Sequence, residues 1–120
     1  MVQKAAQMFR HMGVSLLGVI ENMSYFQDPN TSVRHFVFGE GGGVKISEQF
    51  GVPFLGQVPI DPEISRCADR GIALPFACPE SLASRSFEEM AVKLGQILFT
   101  LEEAEKVCLK QFEYVWKEMD

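Results

Sequence analysis

Apolar positions along the chain recur in three distinct patterns, and each predicts a kind of element. Val2, Ala5, Ala6 and Phe9 stand at i, i+3, i+4 and i+7, one face of a short helix ending near Met12-Gly13. Val14 to Ile20 (VSLLGVI) is an apolar run bounded by Gly13 and the polar pair Glu21-Asn22, a length that suits a strand buried on both faces of a parallel sheet. Residues 21 to 43 read as loop, with room for a short strand at His35 to Phe38. A brief helix is expected over Val44 to Phe50, stopped by Gly51 with Pro53 beyond it. Phe54 to Ile60 (FLGQVPI) reads as a second strand, and Asp61-Pro62 then sets an N-cap residue before a proline at the first helical position. That helix runs to about Asp69, with Gly71 as its stop signal.

From about Glu80 the chain is helical by pattern. Phe87, Ala91, Leu94, Leu98, Leu101, Cys108, Phe112, Val115 and Met119 follow steps of four and three, interrupted only by Glu105. The stripe has two readings: a helix packed on its own sheet followed by an amphipathic tail, or a dimerising coiled coil.

Strand, crossover containing a helix, strand, helix is the order of a parallel α/β sheet. Two strands leave apolar edges and faces that need neighbours. The first helical pattern also starts at residue 1 with no strand before it. The sequence therefore predicts part of a larger domain, or a sheet completed by another copy or a partner. No internal repeat or low-complexity tract is visible.

A net charge of -5 argues against a surface that captures nucleic acid by neutralising phosphates. No apolar run approaches the roughly 20 residues of a membrane span, and MVQKAAQMFRHM lacks the pattern of a secretory signal. Cys67, Cys78 and Cys108 are odd in number and widely spaced, which points to free thiols in a reducing compartment, the cytoplasm or an organellar matrix. Cys67 and Cys108 fall on apolar faces, whereas Cys78, before Pro79, is the candidate exposed thiol. His11 and His35 are too isolated for a metal site, and Glu88-Glu89 and Glu102-Glu103 read as the wet face of the long helix.

Three segments carry more information together than singly: Gly18-Val19-Ile20-Glu21-Asn22-Met23-Ser24, Phe38-Gly39-Glu40-Gly41-Gly42-Gly43, and Leu55-Gly56-Gln57-Val58-Pro59-Ile60-Asp61-Pro62. In this order and spacing the chain resembles the C-terminal half of the Mrp/ApbC iron–sulfur carriers, relatives of the MinD and ParA ATPases. Gln7-Met8-Phe9 and Asp69-Arg70-Gly71 with Pro75 extend the likeness, the last with extra residues before the proline. The resemblance covers about residues 1–99 and implies the C-terminal part of a parallel-sheet P-loop NTPase fold, with residues 100–120 as an amphipathic helical extension. It also implies an ATP-binding iron–sulfur assembly factor, with Mg²⁺ in the complete protein, iron–sulfur client proteins, and either a homodimer or a missing N-terminal half as partner. A non-catalytic module that oligomerises or pairs with a P-loop-bearing partner is the alternative.

Asn22 stands just past the carboxyl end of a predicted parallel strand, where ligands sit in open α/β sheets, and its amide offers the donor and acceptor that an adenine edge requires. In relatives this asparagine reads the base, and the turn equivalent to Pro59, Ile60 and Asp61 lies along the adenine. Without the resemblance, Asn22 is an ordinary turn residue and Asp61 an ordinary helix cap. The sequence contains no G-x-x-x-x-G-K-[ST] phosphate loop and no Walker B aspartate. Gly39 to Gly43 lacks the lysine and hydroxyl of such a loop and is read as a tight turn into the next helix. Many family members place C-P-x-C after the E-N-M-S segment to hold a bridging cluster. Here the aligned residues are Asp28-Pro29-Asn30-Thr31, hard oxygen donors poorly matched to iron–sulfur, which argues against cluster ligation at this locus. Plastid members that also lack the pair are still regarded as carriers.

Overall fold

The computed structural model describes the backbone of residues 2–119 and the side chains of residues 2–107. Nine elements follow in the order α1 (Val2–His11), β1 (Val19–Glu21), β2 (Phe26–Gln27), β3 (Arg34–His35), α2 (Gly42–Phe50), β4 (Phe54–Gln57), α3 (Pro62–Asp69), α4 (Leu74–Ala77) and α5 (Leu82–Met119). β1 and β4 pair in parallel with α2 in the crossover, and β2 and β3 form an antiparallel hairpin at the end of β1. The fold is α/β with a parallel sheet and a long C-terminal helix, as the sequence predicts.

The first strand is much shorter than its apolar run. Only Val19–Glu21 enters the ladder, because β4 begins opposite Val19, whose N–H donates to the Pro53 carbonyl at 3.0 Å. Before Pro53 the chain is already turning out of α2 through Gly51 in the left-handed region, so Val14 to Gly18 meet no partner strand among the described residues. The pairing contains a bulge: Val19 faces Phe54, but Ile20 faces Gly56 and Glu21 faces Gln57. The second strand also ends early, at Gln57. Its remaining groups still reach the β1 side, Val58 N–H to the Glu21 carbonyl at 2.8 Å, Ser24 N–H to Val58 at 2.9 Å and Ile60 N–H to Tyr25 at 2.7 Å.

The expected loop between Glu21 and Gly43 contains the β2–β3 hairpin, with its second strand at Arg34–His35 rather than at residues 35 to 38. Two-residue strands carry too little alternation to be read as a period. The hairpin is set instead by turn chemistry: the Asn30 N–H donates to Asp28 Oδ1, the Ser32 N–H to the Asp28 carbonyl, and Ser32 takes a left-handed conformation. α3 begins and ends where Asp61 and Asp69 place it, with the Asp61 carboxylate accepting from the Glu63 N–H at 2.9 Å. α4 is a single turn started by Pro75, and no periodicity marked it.

Two small clusters of buried residues hold α5 in place. Leu55, Val58 and Met90, with Ile64, Leu94 and Ile97 against them, join β4 to α5; Cys67, Leu74 and Ala83 join α3, α4 and α5. The face of α5 on the sheet is thus the Met90, Leu94, Ile97 row, rotated from the predicted stripe, of which Leu98 and Leu101 are about half exposed. The rotation follows from β4, whose Leu55 carbonyl also accepts from Lys93 Nζ, one helical turn from Met90 and Ile97. The outer part of the stripe, Cys108, Phe112, Val115 and Met119, lies outside the described side chains. α5 continues past Ile97 with Phe99 64% exposed, and the chain measures 71 × 31 × 24 Å.

Candidate functional site

Everything at the candidate site depends on Glu21, the last residue of β1. Its Oε2 accepts from Ser24 Oγ at 2.8 Å and from Gln57 Nε2 at 3.3 Å, while Oε1 accepts from the Gly43 N–H at 3.4 Å. One half-buried carboxylate therefore joins the end of β1, the end of β4 and the start of α2. Gly43 has to be glycine for this closeness, since a Cβ there would stand 2.8 Å from the Phe54 ring and 3.0 Å from the Glu21 Cβ. Glu21, Ser24 and Gln57 were not singled out from the sequence. The available signal was the i, i+3 spacing of Glu21 and Ser24 within the quoted segment; Gln57 needed the bulged register to be recognised.

Directly after Glu21 the chain turns. Asn22 is exposed, its Oδ1 accepts from the Met23 N–H at 2.9 Å, and Met23 sits at φ 51°, a left-handed conformation uncommon for a side chain of this size. With Oδ1 engaged, the orientation of the amide is set and its NH₂ group is left for an outside acceptor. Pro59, buried, and Ile60 and Asp61, half-buried, leave the carboxyl end of β4 at the same end of the sheet. The Ser24–Val58 and Ile60–Tyr25 backbone bonds tie the two segments together. The four residues singled out from the sequence thus share one rim, where an open parallel sheet takes its ligands. Asp61 is at the same time the cap of α3.

A scan against family models matches residues 1–95 to a ParA model described as the NUBPL iron-transfer P-loop NTPase. This chain belongs to that family. Among curated relatives it is 44% identical over 95 residues to an iron–sulfur cluster carrier protein of Deinococcus radiodurans, covering 78% of this chain and 27% of that protein. It is 36% identical over 97 residues to another from Aquifex aeolicus, covering 81% of this chain and 27% of the relative. The chain therefore spans little more than a quarter of the length of these family members. Among solved structures it is similar to a nucleotide-binding protein of Archaeoglobus fulgidus in complex with ADP, with TM-score 0.50 and 34% identity over 58% of this chain and 29% of the other. The fold is accordingly the C-terminal part of a parallel-sheet P-loop NTPase.

The glycine run of this family member has a mechanical role. Gly41, at φ 80°, and Gly39, at φ 94°, make the turn that starts α2. At the hairpin tip Asp28 Oδ1 accepts from the Asn30 N–H, and oxygen donors of this kind are hard ligands. Cys67 is buried and Cys78 half-buried, both as free thiols. No helix among the described residues is long and apolar enough to cross a membrane.

Proposed function

We propose that this chain supplies the adenine-facing rim of an ATP-binding iron–sulfur cluster carrier, with Asn22 reading the base and Pro59, Ile60 and Asp61 lining it. The reading rests on the convergence of these residues at the carboxyl ends of a parallel pair, with the Asn22 amide fixed by Met23. Adenine presents an amino donor beside a ring-nitrogen acceptor, which an asparagine amide meets with its second oxygen lone pair and its NH₂. Guanine presents two acceptors on the same edge, one of which would face the amide oxygen whichever way the amide is turned. The phosphates and Mg²⁺ would be held by a P-loop-bearing segment joined to this chain or supplied by a second one, since the 120 residues contain no such loop.

In this proposal residues 1–99 form the C-terminal half of the nucleotide domain and residues 100–120 a helical extension. The family match ends at residue 95, and Ile97 is the last described α5 residue in the sheet-facing cluster, which supports that division. The cluster itself is cargo, passed to iron–sulfur client proteins by a carrier working as a homodimer or with its N-terminal half. Free thiols fit a reducing compartment, the cytoplasm or an organellar matrix.

The rim is tested by titrating the ¹⁵N-labelled chain with AMP and GMP. AMP should move the Asn22 side-chain NH₂ and the Ile60 and Asp61 amides more than GMP does, and Asn22→Ala should erase the difference. Equal responses to the two nucleotides in the wild-type chain would remove Asn22 from base recognition.

A further inference from the structure

Next to that rim, the β2–β3 hairpin and the first turns of α5 enclose a cavity of about 350 Å³ lined by Tyr25, Arg34, Gln57, Arg85, Ser86 and Glu89. Two guanidinium groups from separate elements line one polar cavity in a chain whose net charge is -5. Among the described residues, ion pairs join Arg66 to Glu63 and Lys106 to Glu102 and Glu103, and neither Arg34 nor Arg85 has a carboxylate partner. Arg34 is also positioned in advance. Its guanidinium lies over the buried Tyr25 ring at 4.4 Å and its Nε donates to Gln27 Oε1 at 3.4 Å, which leaves its terminal NH₂ groups free.

We propose that this cavity is a binding site for a small organic oxyanion, whose carboxylate or phosphate group is held between Arg34 and Arg85. A planar guanidinium offers two parallel donors to such a group, and fixing the side chain beforehand lowers the ordering cost of binding. Gln57 adds a neutral donor, because only one N–H of its amide is used on Glu21. The volume is at the lower end of small-molecule sites, so there is room for a ligand larger than the bare ion. Glu89 stands one turn beyond Arg85 on the same wall and opposes added negative charge. The two arginines that carry the proposal take no part in the nucleotide rim, although Tyr25 and Gln57 connect the two places.

The ¹³C,¹⁵N-labelled full chain is titrated with sodium phosphate and, separately, sodium acetate, against sodium chloride at matched ionic strength, while the Nε–H signals of the arginines are followed. Arg34 and Arg85 should shift saturably with phosphate, acetate or both, with Arg66 unmoved; the probe with the lower midpoint identifies the preferred oxyanion. Arg85→Gln, a good helix former at an exposed position, should abolish saturation while signal dispersion is retained. Glu89→Gln should lower the midpoint about fivefold by removing the opposing charge. Shifts reproduced by chloride, or a Glu89→Gln midpoint unchanged or raised, would overturn the proposal.

Discussion

Replacing Gly41, Gly42 and Gly43 one at a time with alanine should give three different results from three adjacent, chemically identical changes. At Gly43 the new Cβ would lie 2.8 Å from Phe54 Cε2 and 3.0 Å from Glu21 Cβ, and neither is the loose end of a flexible side chain. Overpacking of this kind costs about 1–3 kcal/mol. Alanine recovers only a few tenths of a kcal/mol over glycine at this first-turn position, leaving a net loss of about 1–2.5 kcal/mol. At Gly42 the nearest atom is Glu21 Oε1 at 3.8 Å, an ordinary contact, so Gly42→Ala should stabilise by a few tenths of a kcal/mol at most, as expected for a first-turn position. At Gly41, φ 80° puts alanine in the left-handed region at a cost of roughly 1–2 kcal/mol, with nothing within 4 Å to clash. Urea unfolding followed by far-ultraviolet circular dichroism, at one fixed chain concentration, resolves these differences. With a slope of about 1–3 kcal/mol/M, the Gly41 and Gly43 variants should lose on the order of 0.5–1 M in midpoint. If Gly43→Ala left the midpoint unchanged, or Gly42→Ala lowered it as far, the close packing of α2 on Glu21 and Phe54 would be wrong.

The remaining predictions address the cap, the core and the chemistry. Asp61→Ala should cost about 1 kcal/mol through loss of the bond from the Glu63 N–H, and Asp61→Asn should recover most of it in the same unfolding assay. Met90→Ala, at a position 5% exposed between Leu55 and Val58, should cost about 2–5 kcal/mol, while Phe99→Ala, at a position 64% exposed, should stay within roughly 0.5 kcal/mol. Equal losses would mean that α5 packs in another rotation. The chain by itself should show no Mg²⁺-dependent ATP hydrolysis, because its sequence holds neither the lysine nor the hydroxyl of a phosphate loop. A phosphate-release assay finding metal-dependent turnover abolished by Asn22→Ala would contradict that.

Elements with their own local chemistry were the ones legible in advance. Asp61-Pro62 and Gly71 bracket α3 because a carboxylate cap, a proline without N–H and a glycine at φ 69° act within a few residues of themselves. The extent of β1 was not legible, since strand length belongs to the pair: a seven-residue, mostly apolar run was available, but only the residues opposite β4 found ladder partners. The rotation of α5 was hidden for a related reason. A helix with Phe87, Ala91, Leu98 and Leu101 on one side of Leu94 and Met90 and Ile97 on the other offers two adjacent apolar rows that share Leu94, and β4 decides which one is covered. At the candidate site, the position of Asn22 and of Pro59 to Asp61 just past two strand ends was readable from their order along the chain, whereas the Glu21 hub required knowing which residue of one strand stands opposite which residue of the other.

That dependence on counting residues gives the bulge between Val19 and Ile20 a meaning beyond local twist. Without the extra residue in β4, Ile20 would face Leu55 and Glu21 would face Gly56, a residue with no amide to offer the carboxylate. The single offset is what puts Gln57 opposite Glu21, and through it the turn at Asn22 keeps step with the turn at Pro59. Substitutions at Phe54 or Leu55 and one-residue deletions between Phe54 and Gln57 are therefore different kinds of change. The first alter how well the strand packs; the second dephase the two ends of the rim, so that a chain could keep every contacting residue and lose their alignment.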